Sequence, residues 1–140
     1  MIRLVADANL SRHFVEACLR LDKELPIVHL ADWMGGKHRV SKDPALLEVL
    51  RERGLILITF DRRTMAMHAG QLTRSGSGHM GVILFRRSVS QMDYGKQSRL
   101  VVEFWREARG WDWSDRIEYL PSLSEVMVGS KRRATPHFSF

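Results

Sequence analysis

The sequence predicts an α/β fold of three layers, in which helices cover both faces of a doubly wound, mostly parallel sheet of four to five strands. Short apolar runs alternate along the chain with longer segments whose apolar residues recur at helical spacing. The run over 55–59, Leu-Ile-Leu-Ile-Thr, is typical of a central parallel strand covered on both faces. Acidic residues follow two of the runs, and sheets of this kind bind ligands at the carboxyl ends of their strands.

The same patterns predict the position of each strand and helix along the chain. We expect strands over 2–6, 27–30, 55–59 and 82–85, with short last strands over 117–120 and 125–128. Helices are expected over 11–23, from Asp43 to Gly54, over 62–72 and over 92–109. An Asp cap followed by Pro44 favours the start at Asp43, and Gly54 is placed to end that helix. The connections between successive strands are expected to be right-handed.

Composition indicates one globular domain. Hydrophobic residues make up 44% of the 140 residues and charged residues 27%, which is the balance of a globular protein. We expect a single domain over 1–130 and a basic tail over 131–140 that is mobile or docks on a partner. The chain has no run of about 18 apolar residues, and its single cysteine, Cys18, suits a reducing compartment. The expected location is the cytoplasm.

The charge distribution favours a polyanionic partner. The formal net charge is +6, and residues 62–92 contain no Asp or Glu. This stretch carries five arginines: Arg62, Arg63, Arg74, Arg86 and Arg87. Because arginine forms bidentate pairs with phosphates, nucleic acid is the favoured partner. An acidic protein partner is the alternative.

Three acids are predicted to meet at one edge of the sheet. Asp7 follows the first strand, Asp61 follows the third, and Asp43 starts the helix that leads into that third strand. The helix should begin at the edge where Asp7 and Asp61 emerge, so we expect the three to be catalytic residues and metal ligands. Close carboxylates repel one another, and a cation such as Mg²⁺ removes that repulsion and activates water. Alternatively, Asp43 and Asp61 each serve only as helix N-caps.

Three segments carry a family resemblance. VADANL over 5–10, SKDPALLEVLRERGLILITFD over 41–61 and GVILFRR over 81–87 resemble the short PIN-like ribonucleases that act as toxins of prokaryotic type II toxin–antitoxin modules. The resemblance implies a PIN-like fold, Mg²⁺ or Mn²⁺ as cofactor, RNA cleavage, inhibition by a small antitoxin protein and a homodimer or toxin–antitoxin hetero-oligomer. It maps the acidic site onto Asp7, Asp43 and Asp61. Ala8 and Arg63 stand where this family often has further acids.

Residues near the acids are candidates for holding the substrate. Asn9, Arg62, Arg86 and Arg87 are expected to bind phosphate. Asn9 could instead cap the first helix. Thr59 is placed to hydrogen-bond the Asp61 carboxylate, although a β-branched residue in a strand needs no such role. The six histidines lack the spacing of a zinc site, and the chain contains no Gly-rich nucleotide-binding motif.

Three functions are compared. A metal-dependent endoribonuclease uses all of these features. A non-catalytic module that binds nucleic acid or protein on the same fold agrees with the missing acids at Ala8 and Arg63. A receiver-like signalling domain would need an acid pair after the first strand and a lysine after a late strand, where this chain has Ala8 and Arg86.

Overall fold

The computed structural model describes residues 1–38 and 43–122, with only the backbone of Asp43. The strands in this part are β1 Leu4–Ala6, β2 Ile27–His29, β3 Ile56–Thr59, β4 Val82–Phe85 and β5 Ile117–Leu120. The helices are α1 Arg12–Leu21, α2 Asp43–Arg53, α3 Arg62–Ser75 and α4 Tyr94–Ala108, with a 3₁₀ turn over Trp33–Gly36. The strand expected over 125–128 and the tail over 131–140 lie outside the described residues.

The five strands form one sheet in the order β2-β1-β3-β4-β5, and every paired neighbour is parallel. This confirms the predicted three-layer α/β class. Alternate residues of each strand enter opposite cores: Leu4 and Ala6 face α1 and α4, whereas Val5 faces α2 and α3. Since both faces are covered, the central strands β3 and β4 are apolar and buried at nearly every position.

The crossover between β4 and β5 departs from the expected handedness. The helix α1 joins β1 to β2 on one face, and α2 and α3 run along the sheet in the opposite direction on the other face, so these three connections share one hand. The helix α4 runs in the same direction as α2 and α3 but lies on the face of α1. Its connection therefore has the opposite hand, and the expectation of uniformly right-handed crossovers is wrong here. Burial explains the exception, because α4 covers the Ile58, Ile83 and Phe85 side chains on that face.

Helix bounds follow local capping. The carboxylate of Asp93 accepts a hydrogen bond from the Lys96 N–H at 3.0 Å, so α4 starts at Tyr94 rather than at 92. The helix α3 continues three residues beyond its predicted end to Ser75, where Gly76 takes a left-handed conformation with φ of +86°. The helix α1 ends at Leu21, two residues before its predicted end, and Leu21 is 49% exposed. None of the helices in the described ranges combines the length and apolar character needed to span a membrane.

Candidate active site

Asp7 is fixed at the carboxyl edge of the sheet by β3. Its backbone N–H donates to the carbonyl of Ile58 at 2.9 Å, which continues the β1–β3 pairing by one residue. Its side chain is turned inward, and the residue is only 8% exposed. Carboxylate Oδ1 accepts from the Ala8 N–H at 2.7 Å, and Oδ2 accepts from the Thr59 hydroxyl at 2.8 Å. Donors at the carboxyl ends of β1 and β3 therefore hold the Asp7 carboxylate in one orientation.

Thr59 contacts two of the three predicted acids. The same hydroxyl that donates to Asp7 accepts from the backbone N–H of Asp61 at 3.1 Å and from Asn9 Nδ2 at 2.9 Å. One donor and two acceptor positions of the hydroxyl are therefore all used. The predicted partner was the Asp61 carboxylate; the observed partners are the Asp7 carboxylate and the Asp61 backbone.

Asn9 crosses from the loop after β1 to the end of β3. Its Oδ1 accepts from the Phe60 N–H at 3.1 Å, while Nδ2 donates to Thr59 and lies 3.4 Å from Asp7 Oδ2. The N-cap of α1 is Ser11, whose hydroxyl accepts from the His13 N–H at 3.0 Å. The alternative that Asn9 caps this helix is therefore wrong. Its amide instead cross-links β1 and β3 and supports Asp7.

Asp61 combines a capping contact with an available carboxylate oxygen. Its Oδ1 accepts from the Thr64 N–H at 2.9 Å, so it is the N-cap of α3, as the alternative interpretation stated. Its Oδ2 accepts no hydrogen bond from the described residues. One oxygen thus serves the helix, and the other remains open to a ligand.

Asp43 opens α2, as predicted, and α2 follows β2 at the same edge of the sheet. The side chain of Asp43 is outside the described part of the structure, so the grouping of all three acids stays a prediction. Among the side chains that are described, no three His, Cys, Asp or Glu residues are grouped to hold a metal ion.

An open cleft of about 380 Å³ lies beside Asp61, lined by Phe60, Asp61, Arg62, Arg63 and Arg87. Arg62 is anchored, because its Nη1 donates to the carbonyl of Phe85 at 3.1 Å. Arg87 is exposed and lies in the cleft, where a phosphate-binding residue was expected. Three guanidinium groups against one carboxylate make this cleft suited to an anion.

Arg86 points elsewhere. Its Nε donates to the carbonyl of Pro121 at 2.7 Å, and its guanidinium lies 5.2 Å from the centre of the Tyr119 ring. These contacts tie the end of β4 to the end of β5. Arg63, which was not among the residues predicted to bind phosphate, lines the cleft. It belongs to the acid-free stretch over 62–92 that favoured a polyanionic partner, and that stretch was the signal pointing to it.

Two of the three predicted metal ligands, Asp7 and Asp61, are described with their side chains. Hard divalent cations prefer carboxylate oxygens, and ligating carboxylates are oriented by outer-shell hydrogen bonds. Asp61 Oδ2 is available, and Asp7 is oriented by Thr59 and Ala8.

Comparison of this chain with protein-family models, with curated proteins and with solved structures found no match.

Proposed function

We propose that this protein is a divalent-metal-dependent endoribonuclease that hydrolyses RNA phosphodiester bonds. One observation carries the proposal: the Thr59 hydroxyl donates to the Asp7 carboxylate and accepts from the backbone N–H of Asp61, and Asp61 lines a cleft together with three arginines. Carboxylates that hold a cation next to an anion-binding cleft are what phosphodiester hydrolysis requires. The net charge of +6 suits a polyanionic substrate.

Each residue has a role in this proposal. Asp7 and Asp61, with Asp43 at the start of α2, would hold Mg²⁺ or Mn²⁺. When bound, the cation supplies charge stabilisation at the phosphodiester and lowers the pKa of a water molecule. Arg63 and Arg87 hold the phosphate, because their guanidinium groups form bidentate hydrogen bonds with its oxygens. Thr59 and Asn9 act as positioning residues that fix the Asp7 carboxylate.

The biological role we propose is that of a cytoplasmic toxin, held inactive by a small cognate antitoxin protein. The resemblance of residues 5–10, 41–61 and 81–87 to PIN-like toxins supports it. A homodimer or a toxin–antitoxin hetero-oligomer is the assembly that goes with this role.

The test is cleavage of a mixed RNA pool with and without Mn²⁺. Asp61→Asn removes the charge but retains a good N-cap, since Asn caps helices as well as Asp. Asp93→Asn is the matched control, because Asp93 caps α4 through the same kind of contact. We expect cleavage that requires Mn²⁺, is lost in Asp61→Asn and persists in Asp93→Asn. Wild-type activity in Asp61→Asn would refute the mechanism.

The second candidate is a non-catalytic module that binds nucleic acid or protein. The observation that favours it is the engagement of both Asp7 oxygens with protein donors, together with Ala8 and Arg63 in place of further acids. This candidate predicts salt-sensitive RNA binding without metal-stimulated cleavage. The cleavage assay above separates the two functions.

A further inference from the structure

A pair of aromatic side chains, one exposed and one partly buried, lies at the same edge of the sheet as the candidate active site. The rings of His13 and Tyr94 have their centres 5.5 Å apart, with an angle of 38° between their planes. We call these two residues the rim pair. His13 is the second residue of α1, and Tyr94 is the first residue of α4. Since both helices follow strands of a parallel sheet, their first turns lie at the carboxyl edge, where Asp7 and Asp61 lie.

The unusual crossover creates this pair. Because α4 lies on the face of α1, the first turns of the two helices become neighbours. Had the β4–β5 connection shared the hand of the other three, α4 would lie on the opposite face of the sheet. The position of Tyr94 beside His13 is therefore a direct consequence of the topology.

Aromatic packing connects the rim pair to the arginine cleft. Phe14, which follows His13, meets the ring of Phe85 edge-on at 5.9 Å, and Phe85 lies 4.9 Å from Phe60. Phe60 lines the cleft that holds Asp61 and the arginines. The rim pair and the cleft thus rest on one continuous buried cluster.

The two members of the rim pair differ in burial. The His13 side chain is 69% exposed. Besides the Tyr94 ring, it lies near Glu16, with 3.8 Å between His13 Nδ1 and Glu16 Oε2. Tyr94 packs against the core with part of its surface, and its hydroxyl lies 3.9 Å from the sulfur of Met92, which is 75% exposed. Aromatic rings usually stabilise a protein by burial, and the ring of His13 is left mostly in solvent.

We propose that the rim pair stacks an unpaired base of the RNA whose phosphate occupies the arginine cleft. The inference rests on the proposed function. Proteins bind single-stranded nucleic acid by combining aromatic rings that stack on bases with a positively charged groove that follows the backbone. Here the rim pair and the arginine cleft lie at the same edge of the sheet. A base within a duplex is already stacked on its neighbours and cannot reach the pair.

The test measures the affinity of the protein for a fluorescent single-stranded RNA of about eight nucleotides, in EDTA, by anisotropy. His13→Ala should weaken binding by about 5-fold to about 100-fold, the range that loss of one stacked base produces. Tyr94→Phe keeps the ring and should stay within about twofold of the wild type. His68→Ala removes an imidazole from α3 on the other face of the sheet and should bind like the wild type. Thermal melting confirms that each variant is folded.

A second RNA with abasic sites at every position separates stacking from charge. It keeps the phosphates but offers no base, so His13→Ala and the wild type should bind it equally. The inference is overturned if His13→Ala binds the normal strand like the wild type, or loses the same factor on both strands. If the wild type cleaves RNA while His13→Ala binds normally, only the inference fails. If the wild type binds no RNA at all, the proposed function fails with it.

Discussion

Replacing Thr59 with valine tests the hydrogen-bond network that joins the two acids. Valine has nearly the same shape but lacks the hydroxyl that contacts Asp7, Asn9 and the Asp61 N–H. A hydrogen bond to a charged group contributes about 1.5–3 kcal/mol, and leaving a buried N–H without an acceptor costs about 1–3 kcal/mol. Since Asn9 is exposed and can turn to water, we expect Thr59→Val to lower the free energy of unfolding by about 3 kcal/mol. That is a large fraction of the roughly 5–15 kcal/mol typical of a domain.

Urea unfolding followed by circular dichroism measures this change. Thr59→Ser is the matched control, because it keeps the hydroxyl and loses one methyl group, for which the expected cost is about 1 kcal/mol. Thr59→Val should also reduce RNA cleavage more than Thr59→Ser does, since Asp7 loses the donor that orients it. If the two variants differ by less than about 0.5 kcal/mol, the network does not stabilise the site as we describe.

Two further predictions concern the loop before β4. Burial lowers the pKa of His79, with Asp115 opposing part of the shift. As the pH falls below about 6.5, the unfolded chain therefore takes up a proton that the folded protein does not, and stability declines. His79→Asn should flatten this decline below about pH 6.5 in urea unfolding; an unchanged pH dependence would contradict it. Gly81→Ala would place a methyl group 2.7 Å from Trp113 at a φ of +115°, so it should lower stability by more than about 2 kcal/mol. Gly76→Ala, which has a positive φ but open space, should cost about 1 kcal/mol, and equal losses in thermal melting would refute the clash.

Much of the fold could be predicted because it follows from local patterns. The strands Val82–Phe85 and Ile117–Leu120 have their predicted bounds, and the helix from Asp43 ends before Gly54, which takes a left-handed conformation with φ of +69°. Short apolar runs and capping residues can each be recognised within a few consecutive positions of the sequence. Cys18 and Phe14 are buried on the apolar stripe of α1 for the same reason.

The face on which α4 packs could not be predicted. Its apolar residues show that one side of the helix is buried, but they do not show which face of the sheet it covers. That choice depends on which face α1 leaves open, and this is a property of the assembled sheet. The general preference for right-handed crossovers pointed to the wrong face.

The hydrogen-bond network among the side chains of the site also could not be predicted from local sequence patterns. Asn9 and Thr59 are 50 positions apart, and the sequence near Asn9 suggested a helix cap. Placement of Asp7 and Asp61 after strands was predictable from the apolar runs before them. Their connection through one hydroxyl depends on the pairing of β1 with β3, which brings residues 7 and 59 together.

Calorimetric titration with Mn²⁺ tests the central claim most directly, because it measures the shared cation rather than its effect on RNA. The account predicts saturable Mn²⁺ binding by the wild type and by Asp93→Asn. Asp61→Asn should bind at least about 10-fold more weakly, a loss no smaller than that caused by removing an outer-shell partner of a metal ligand. Absence of Mn²⁺ binding by the wild type, or equal affinities for all three proteins, would contradict the account.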